Sequence, residues 1–396
     1  MLPKRVYAKI NLDNIQKNVK PIVDRMGDGV AVMGIVKADA YGHGAVEVSK
    51  ALLEIGVKAF GVATIGEAVE LRKNGIEAPI LVLGQIFKEE FHTAVEYDIA
   101  SAMFDIHCAR DLSEIALEQG KKAKIYIKID TGMGRIGFQP DDDGFERIKQ
   151  VFNNEGLEIL GAFTHFACAD CADKTSAENQ KKKFLDFTQK VIDAGYPLPV
   201  RHMYNSASIM ELGGEYKGEM VRSGIMTYGL YPSEEMDKSY PLYPAMELKS
   251  SIAFIKDVGK GFTVSYGSTF TAEKDMKIAT VPVGYGDGYP RYLSNKGQVI
   301  IKGIRCPIVG RVCMDQFMVD ISKVPNALIG DEVTLVGTDG DETITVEDVA
   351  DPTYRFNYEF CCLINKRVSR VYIKNGEIYK IRDIYLEYGN FDTKKA

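Results

Sequence analysis

One pattern recurs eight times between residues 31 and 223: a short apolar run followed by a stretch with helical spacing. The runs are 31–36, 59–63, 80–83, 99–103, 125–129, 159–163, 201–204 and 219–223. Two parallel strands cannot be joined by a tight turn. The chain needs a crossover of roughly a dozen residues or more, usually a helix, to bring the next strand alongside. Strand–helix repetition therefore predicts a parallel sheet, and eight units in about 230 residues fit a (β/α)8 barrel better than an open sheet. The links read as helices. Ala45, Val48, Leu52 and Ile55 share a helical face before Gly56, and Thr64-Ile65-Gly66-Glu67 has the form of a capping box opening the next helix.

After residue 240 the texture changes to strand-like runs such as Ala279-Thr280-Val281-Pro282-Val283 and Val299-Ile300-Ile301. Turns are signalled at Lys296-Gly297, Lys302-Gly303 and Thr338-Asp339-Gly340. The expected fold class is α/β: a (β/α)8 barrel over 1–240, a mainly β domain over 241–387, and a frayed tail over 388–396.

A chain of 396 residues that is 45% hydrophobic can bury one large core and a smaller one. The net charge of −6 gives no basic footprint for nucleic acid, and no stretch approaches the ~18 apolar residues of a membrane span. The first ten residues carry positive charge without an apolar core behind it, so no secretory signal is expected and the cytoplasm is the default location. Seven cysteines, at 108, 168, 171, 306, 313, 361 and 362, are an odd and scattered set that reads as free thiols in a reducing compartment. Cys168-Ala169-Asp170-Cys171 has the spacing of a redox or metal pair, but no second pair or histidine cluster accompanies it. It reads as a loop with two incidental thiols, and no metal is expected.

In a barrel of this kind the active site gathers at the carboxyl ends of the strands. Lys37 follows the first run and opens Lys37-Ala38-Asp39-Ala40-Tyr41-Gly42-His43-Gly44; a lysine there is placed to form a Schiff base with an aldehyde, or, in the bland reading, to reach solvent. Lys128 and Arg135 lie at and after the fifth run, His165 after the sixth, Asn205-Ser206 after the seventh, and Arg222-Ser223-Gly224-Ile225 at the eighth. Each alone has an ordinary structural explanation; together they mark one end of a barrel. Barrels often hold phosphate after strands seven and eight, where Ser206 and the Gly224 and Ile225 amides could supply a nest. Phosphate plus a Schiff-base lysine suggests pyridoxal phosphate, the alternative being a cofactor-free aldolase acting on a sugar phosphate. Gly132-Met133-Gly134-Arg135-Ile136-Gly137 has dinucleotide spacing, but Pro140 follows where a helix should open, which argues against a Rossmann turn.

These segments, in this order, resemble the alanine racemase family of pyridoxal-phosphate enzymes from about residue 5 to 380. Further matching stretches are Tyr204-Asn205-Ser206-Ala207, Ser265-Tyr266-Gly267, Gly284-Tyr285-Gly286-Asp287-Gly288 and Cys313-Met314-Asp315. The resemblance implies a barrel followed by a β domain, and a homodimer with shared active sites. Lys37 would carry the cofactor and act as base on the D face, and Tyr266 from the partner subunit would act on the L face. Tyr41, Ser206, the Gly224 and Ile225 amides and Tyr358 would hold the phosphate, with Asn205 and His165 beside the cofactor and Arg222 at the pyridine nitrogen. Arg135 and the Met314 amide would contact substrate or cofactor. Lys128, carbamylated or not, would position Arg135, and Cys313 and Asp315 would support the Met314 segment. Tyr285 would line an entrance flanked by Asp170, Arg291 and Arg311.

The implied activity is interconversion of L- and D-alanine for bacterial peptidoglycan, with His165 and Arg222 forming a positive relay that helps Tyr266 act as a base. A same-fold racemase for serine or another amino acid is the nearest alternative; a cofactor carrier without catalysis is a more distant one, for which a second base would have no use. Met226-Thr227 and Ser369 depart from the usual family residues, the latter standing where proline is common.

Overall fold

The computed structural model describes residues 2–26, 29–212 and 220–386. These fall into two compact units, one drawn from Ile15–Ala40 and Ala45–Tyr243, the other from Met1–Asn14, Tyr41–Gly44 and Pro244–Ala396.

The first unit is an eight-stranded parallel sheet: Ala31–Ile35, Ala59–Val62, Ile80–Val82, Ala100–Met103, Ala123–Lys128, Leu157–Phe163, Val200–His202 and Met220–Ser223. Each strand pairs with the next up to Val200–His202, and the last pairs back onto the first, with Val32 opposite Val221. The remaining seam is bridged by the Arg222 amide, which donates to the Tyr204 carbonyl at 3.0 Å. The sheet is thus a near-closed barrel, and all eight expected runs are strands; residue 219, at the edge of the last run, lies outside the described residues.

Strands Ala59–Val62, Ile80–Val82, Ala100–Met103 and Met220–Ser223 are buried at every position. Helices cover one face and the barrel core the other, which is why these strands read as continuous apolar runs. The capping box forms as expected: the Thr64 hydroxyl accepts from the Glu67 amide and the Glu67 carboxylate from the Thr64 amide, both at 3.3 Å. Among the described residues no helix is long and apolar enough to cross a membrane.

The second unit is an eleven-stranded sheet with a separate two-stranded ribbon, Thr263–Val264 and Phe270–Thr271. The Lys302-Gly303 signal is a tight hairpin between Gln298–Ile301 and Ile304–Val309, both turn residues having positive φ, 52° and 74°. One expectation needs correction. Residues 1–240 do not all belong to the barrel, because strand Val6–Asn11 lies between Met246–Ser251 and Ser369–Lys374. Its VYAKIN sequence looks like any short strand; only partners more than two hundred residues away decide its sheet. Ser369, noted as a departure, opens one of those partner strands and donates its hydroxyl to Asp383 at 2.6 Å. The expected tail lies outside the described residues.

Candidate active site

Lys37 follows the first barrel strand and opens a helical turn of the opposite hand: Ala38, Asp39, Ala40 and Tyr41 have φ of 52°, 53°, 54° and 52°. Left-handed helix costs an L-residue ~1–2 kcal/mol, so local contacts must hold it. The Glu67 carboxylate accepts from the Ala38 amide at 2.6 Å and the Ala63 amide at 2.8 Å, while Asp39 accepts from the Ala45 amide at 2.9 Å. Lys37 is therefore mounted, half-buried, on a backbone pinned at both ends.

Arg222 is 4% exposed and spends its donors on neutral groups. It donates to the carbonyls of Thr164 at 2.9 Å, His202 at 3.0 Å and Met203 at 3.1 Å, and to Nδ1 of His202 at 3.0 Å and of His165 at 3.1 Å. No carboxylate is among its partners in the described residues. A guanidinium can only donate, so both imidazoles accept through Nδ1 and carry their proton on Nε2. Burial, and then the Arg222 charge, hold both histidines well below the usual imidazole range. The positive relay is thus corrected: Arg222 carries the charge and His165 is a neutral link. Burial lowers the Arg222 guanidinium to about 9, which leaves it charged near neutrality.

Lys128 is 2% exposed, donates to the Ile129 carbonyl at 2.8 Å, and lies 5.4 Å from the centre of the Phe163 ring. Burial, followed by the Arg222 charge, brings its pKa down to about 7. After burial, His165 feels Arg222, Arg135, Lys128 and Lys37 in that order, so four basic side chains from three strand ends converge on one imidazole. Such a cluster calls for an anion.

The glycine-rich decoy is resolved by Asp130. One oxygen of its carboxylate accepts from the amides of Gly132, Met133 and Gly134 at 3.0, 2.9 and 3.1 Å, the donors a dinucleotide turn would offer a pyrophosphate. The helix opens later, at Asp142, capped by Asp141. Arg135 sits exposed on this turn. At the seventh and eighth strand ends, the buried Ser206 hydroxyl accepts from the Gly224 amide at 3.0 Å and the Met226 amide at 3.4 Å. Asn205 caps helix Ser206–Glu211, its side chain accepting from the Ser208 amide at 3.1 Å. Hydroxyl and amides form a small polar nest beside Ile225.

The second unit carries the other expected residues. Tyr41 and Tyr358 have ring centres 5.9 Å apart, and Gly42 beside them receives Arg370, a fully buried guanidinium that donates to its carbonyl at 3.0 Å. Tyr266 is 71% exposed on a short turn whose Ser265 donates to the Arg311 carbonyl at 2.8 Å. The Arg311 guanidinium lies close over Gly267. The segments bearing Tyr285 and Met314 are tied together: the Tyr285 amide donates to the Cys313 carbonyl at 3.1 Å and the Gly286 amide to the Met314 carbonyl at 2.9 Å. Asp315 pairs with Arg367 at 2.7 Å. Beneath both, the buried Asp287 carboxylate takes Arg5 at 2.7 and 2.9 Å, Arg367 at 2.8 Å and the Gly284 amide at 3.0 Å. Arg291 opens the turn Arg291–Leu293, and Asp170 lies in the barrel unit, in the loop after His165.

Sequence patterns matching family models fall on the same two halves: the alanine racemase N-terminal domain over 10–232 and C-terminal domain over 245–372. The chain belongs to the alanine racemase family. An alanine racemase of Clostridium perfringens is 44% identical over 96% of this chain and 98% of its own. The structure of alanine racemase from Clostridium difficile 630 superposes with a TM-score of 0.92 at 40% identity, covering 98% of this chain and all of that one. A family member from Bartonella henselae, solved with covalently bound pyridoxal phosphate, superposes at 0.81 with 28% identity, covering 94% of this chain and 100% of that one.

Against this alanine racemase background, sequence reasoning missed the residues that hold others in place: His202, Gln180, Arg370 and the Asp287 hub. Asp287 lay in a quoted glycine-rich stretch, yet nothing local marks Arg5 and Arg367 as its partners. Glu67 was visible as a cap, and its second duty at Ala38 was not.

Proposed function

We propose that this chain interconverts L- and D-alanine with pyridoxal phosphate as its cofactor, working as a cytoplasmic homodimer that supplies D-alanine for peptidoglycan. The observation that carries the reading is Arg222: a buried cation, surrounded by neutral acceptors, that gathers with Lys37, Lys128 and Arg135 about His165. The residues fit the cofactor. Ser206 with the neighbouring amides, Tyr41 and Tyr358 would hold its phosphate, Arg222 would donate to its pyridine nitrogen, and the Lys37 amine would take its aldehyde. When bound, pyridoxal phosphate supplies that aldehyde and a conjugated ring that draws electron density from the substrate α-carbon.

The chain's own residues handle the proton. Lys37 would take or return it at Nζ on the D face. Tyr266 of the partner subunit does the same at its phenolic oxygen on the L face, so the proton leaves one side and returns on the other. His165, accepting from Arg222 through Nδ1, presents its Nε2 proton as a donor to that phenolic oxygen. Arg222, charged and able only to donate, would disfavour protonation of the pyridine nitrogen, which would favour reversible proton transfer over decarboxylation. Arg135 and the Met314 amide bind substrate carboxylate or cofactor oxygen; a neutral Lys128 amine is open to carbamylation, which would set a negative charge beside Arg135. Tyr358 and Met314 favour a small side chain at the site.

The test is polarimetry on the purified enzyme with L-alanine, D-alanine, L-serine and L-lysine. Convergence of both alanine enantiomers to one null rotation, faster than serine or lysine, is expected; preference for serine would move the reading to the same-fold alternative, and no racemisation would overturn it.

A further inference from the structure

The loop between strand Leu157–Phe163 and helix Thr175–Asp193 carries Cys168 and Cys171, which the racemase chemistry does not use. Both are free thiols, neither fully buried, and they are neighbours whose side chains act on each other. The segment is clamped on both sides of the pair. On entry, the buried Gln180 side chain accepts from the Ala167 amide at 2.9 Å and donates to the His165 carbonyl at 3.1 Å and the Thr131 hydroxyl at 3.2 Å. On exit, Lys174 donates to the carbonyls of Ala169 at 2.9 Å and Cys171 at 2.7 Å, and pairs with Glu211. The Asp170 carbonyl accepts from Ser233 at 3.1 Å and the Ala172 amide donates to Glu235 at 2.8 Å. The backbone thus holds two neighbouring thiols, three and six positions beyond the imidazole that meets Arg222.

We propose that Cys168 and Cys171 are a thiol–disulfide exchange site: a low-molecular-weight disulfide oxidises them to a reversible intrachain disulfide, and closing it perturbs the loop behind His165. In the first step one cysteine thiolate attacks a sulfur of the oxidant, forming a mixed disulfide and releasing one thiol. The second cysteine thiolate then attacks the first cysteine's sulfur in that mixed disulfide, forming the intrachain S–S bond and releasing the second thiol. Two protein S–H bonds are replaced by one S–S bond, the oxidant is reduced to two thiols, and the protons end on those thiols. Closure draws the sulfurs to about 2.05 Å, and the Gln180 clamp passes that movement to the His165 carbonyl. The Cys168 contact, with burial and neighbouring carboxylates, raises the Cys171 pKa, so exchange quickens as pH rises above neutrality.

The test equilibrates holoenzyme with hydroxyethyl disulfide, alkylates the remaining thiols and maps the peptides. The peptide spanning both cysteines should become lighter by a pair of hydrogens, resist alkylation, and recover with dithiothreitol. Cys168→Ser and Cys171→Ser should each abolish the linkage. Full alkylation of both thiols after oxidation, or a stable mixed disulfide on one of them, would overturn the proposal. A kinetic arm rests on the racemase reading: oxidation should lower kcat/KM several-fold in the wild type and not in Cys168→Ser. Closure without that change, or an equal loss in the variant, which would place the sensitivity on another thiol such as Cys313, would overturn the coupling to His165. Absence of racemisation before oxidation would instead count against the function and leave the peptide result standing.

Discussion

Lys128 shows how one buried amine ties the site to stability. Its folded pKa is about 7 against 10.5 in an open chain. Below pH 7 both states hold the proton, and the fold bears the whole cost of the buried ammonium. Between about 7 and 10.5 the unfolded chain binds more protons, so stability rises with pH through that window. In bicarbonate-free buffer the thermal midpoint of the wild type should therefore climb from neutral to alkaline pH relative to that of Lys128→Met; parallel profiles would contradict the burial argument. Tyr266 is the chemical counterpart. Tyr266→Phe should lower kcat by roughly 10²–10⁴, the usual worth of a positioned acid or base. Deuterium exchange at the α-carbon of D-alanine should persist, while that of L-alanine is lost; equal loss from both would mean that the two faces are not served by separate bases.

At the scale of elements, the left-handed turn after the first strand is the feature least expected from its sequence. Lys37-Ala38-Asp39-Ala40-Tyr41 contains no glycine, and helix-forming alanines suggest the ordinary hand; Glu67 and Asp39 impose the other by taking the Ala38 and Ala45 amides. Gly42, which ends the turn, has φ of +78°, and a Cβ there would stand 2.2 Å from the Cys361 carbonyl oxygen. Gly42→Ala should cost about 1–3 kcal/mol of stability, read as a lower denaturation midpoint. An unchanged midpoint would show that the turn relaxes freely. The loop after the fifth strand teaches a related point. Its glycine spacing imitates a dinucleotide site, and Asp130, two residues earlier, turns those amides inward. Asp130→Ala should release three donors and loosen Arg135, raising the KM for alanine more than it lowers kcat; an unaltered KM would deny Arg135 its substrate role.

For the whole molecule, the barrel was legible because half of its strands are buried at every position, so their apolar runs survive in the sequence as an unbroken signal, and because its chemistry collects at one set of strand ends. Lys37, Lys128, His165, Ser206 and Arg222 could be ordered from that rule alone. The N-terminal strand and the Asp287–Arg5–Arg367 hub were not legible, since Asp287 meets Arg5 from 282 positions away and Arg367 from 80, and no local pattern encodes such partners. The proposed sharing of active sites between subunits is also a whole-molecule property, and the high exposure of Tyr266 and Met314 on the second unit suits it. Lys37→Ala and Tyr266→Phe homodimers should each be inactive, yet recover activity when mixed, because one site of the mixed dimer inherits neither defect. No recovery after verified subunit exchange would place both bases in one chain. The central claim is that the Lys37 amine holds the cofactor. Borohydride reduction of the purified enzyme followed by peptide mass mapping should find a pyridoxyl phosphate group fixed to Lys37; an unmodified Lys37, or a label on another lysine, would contradict it.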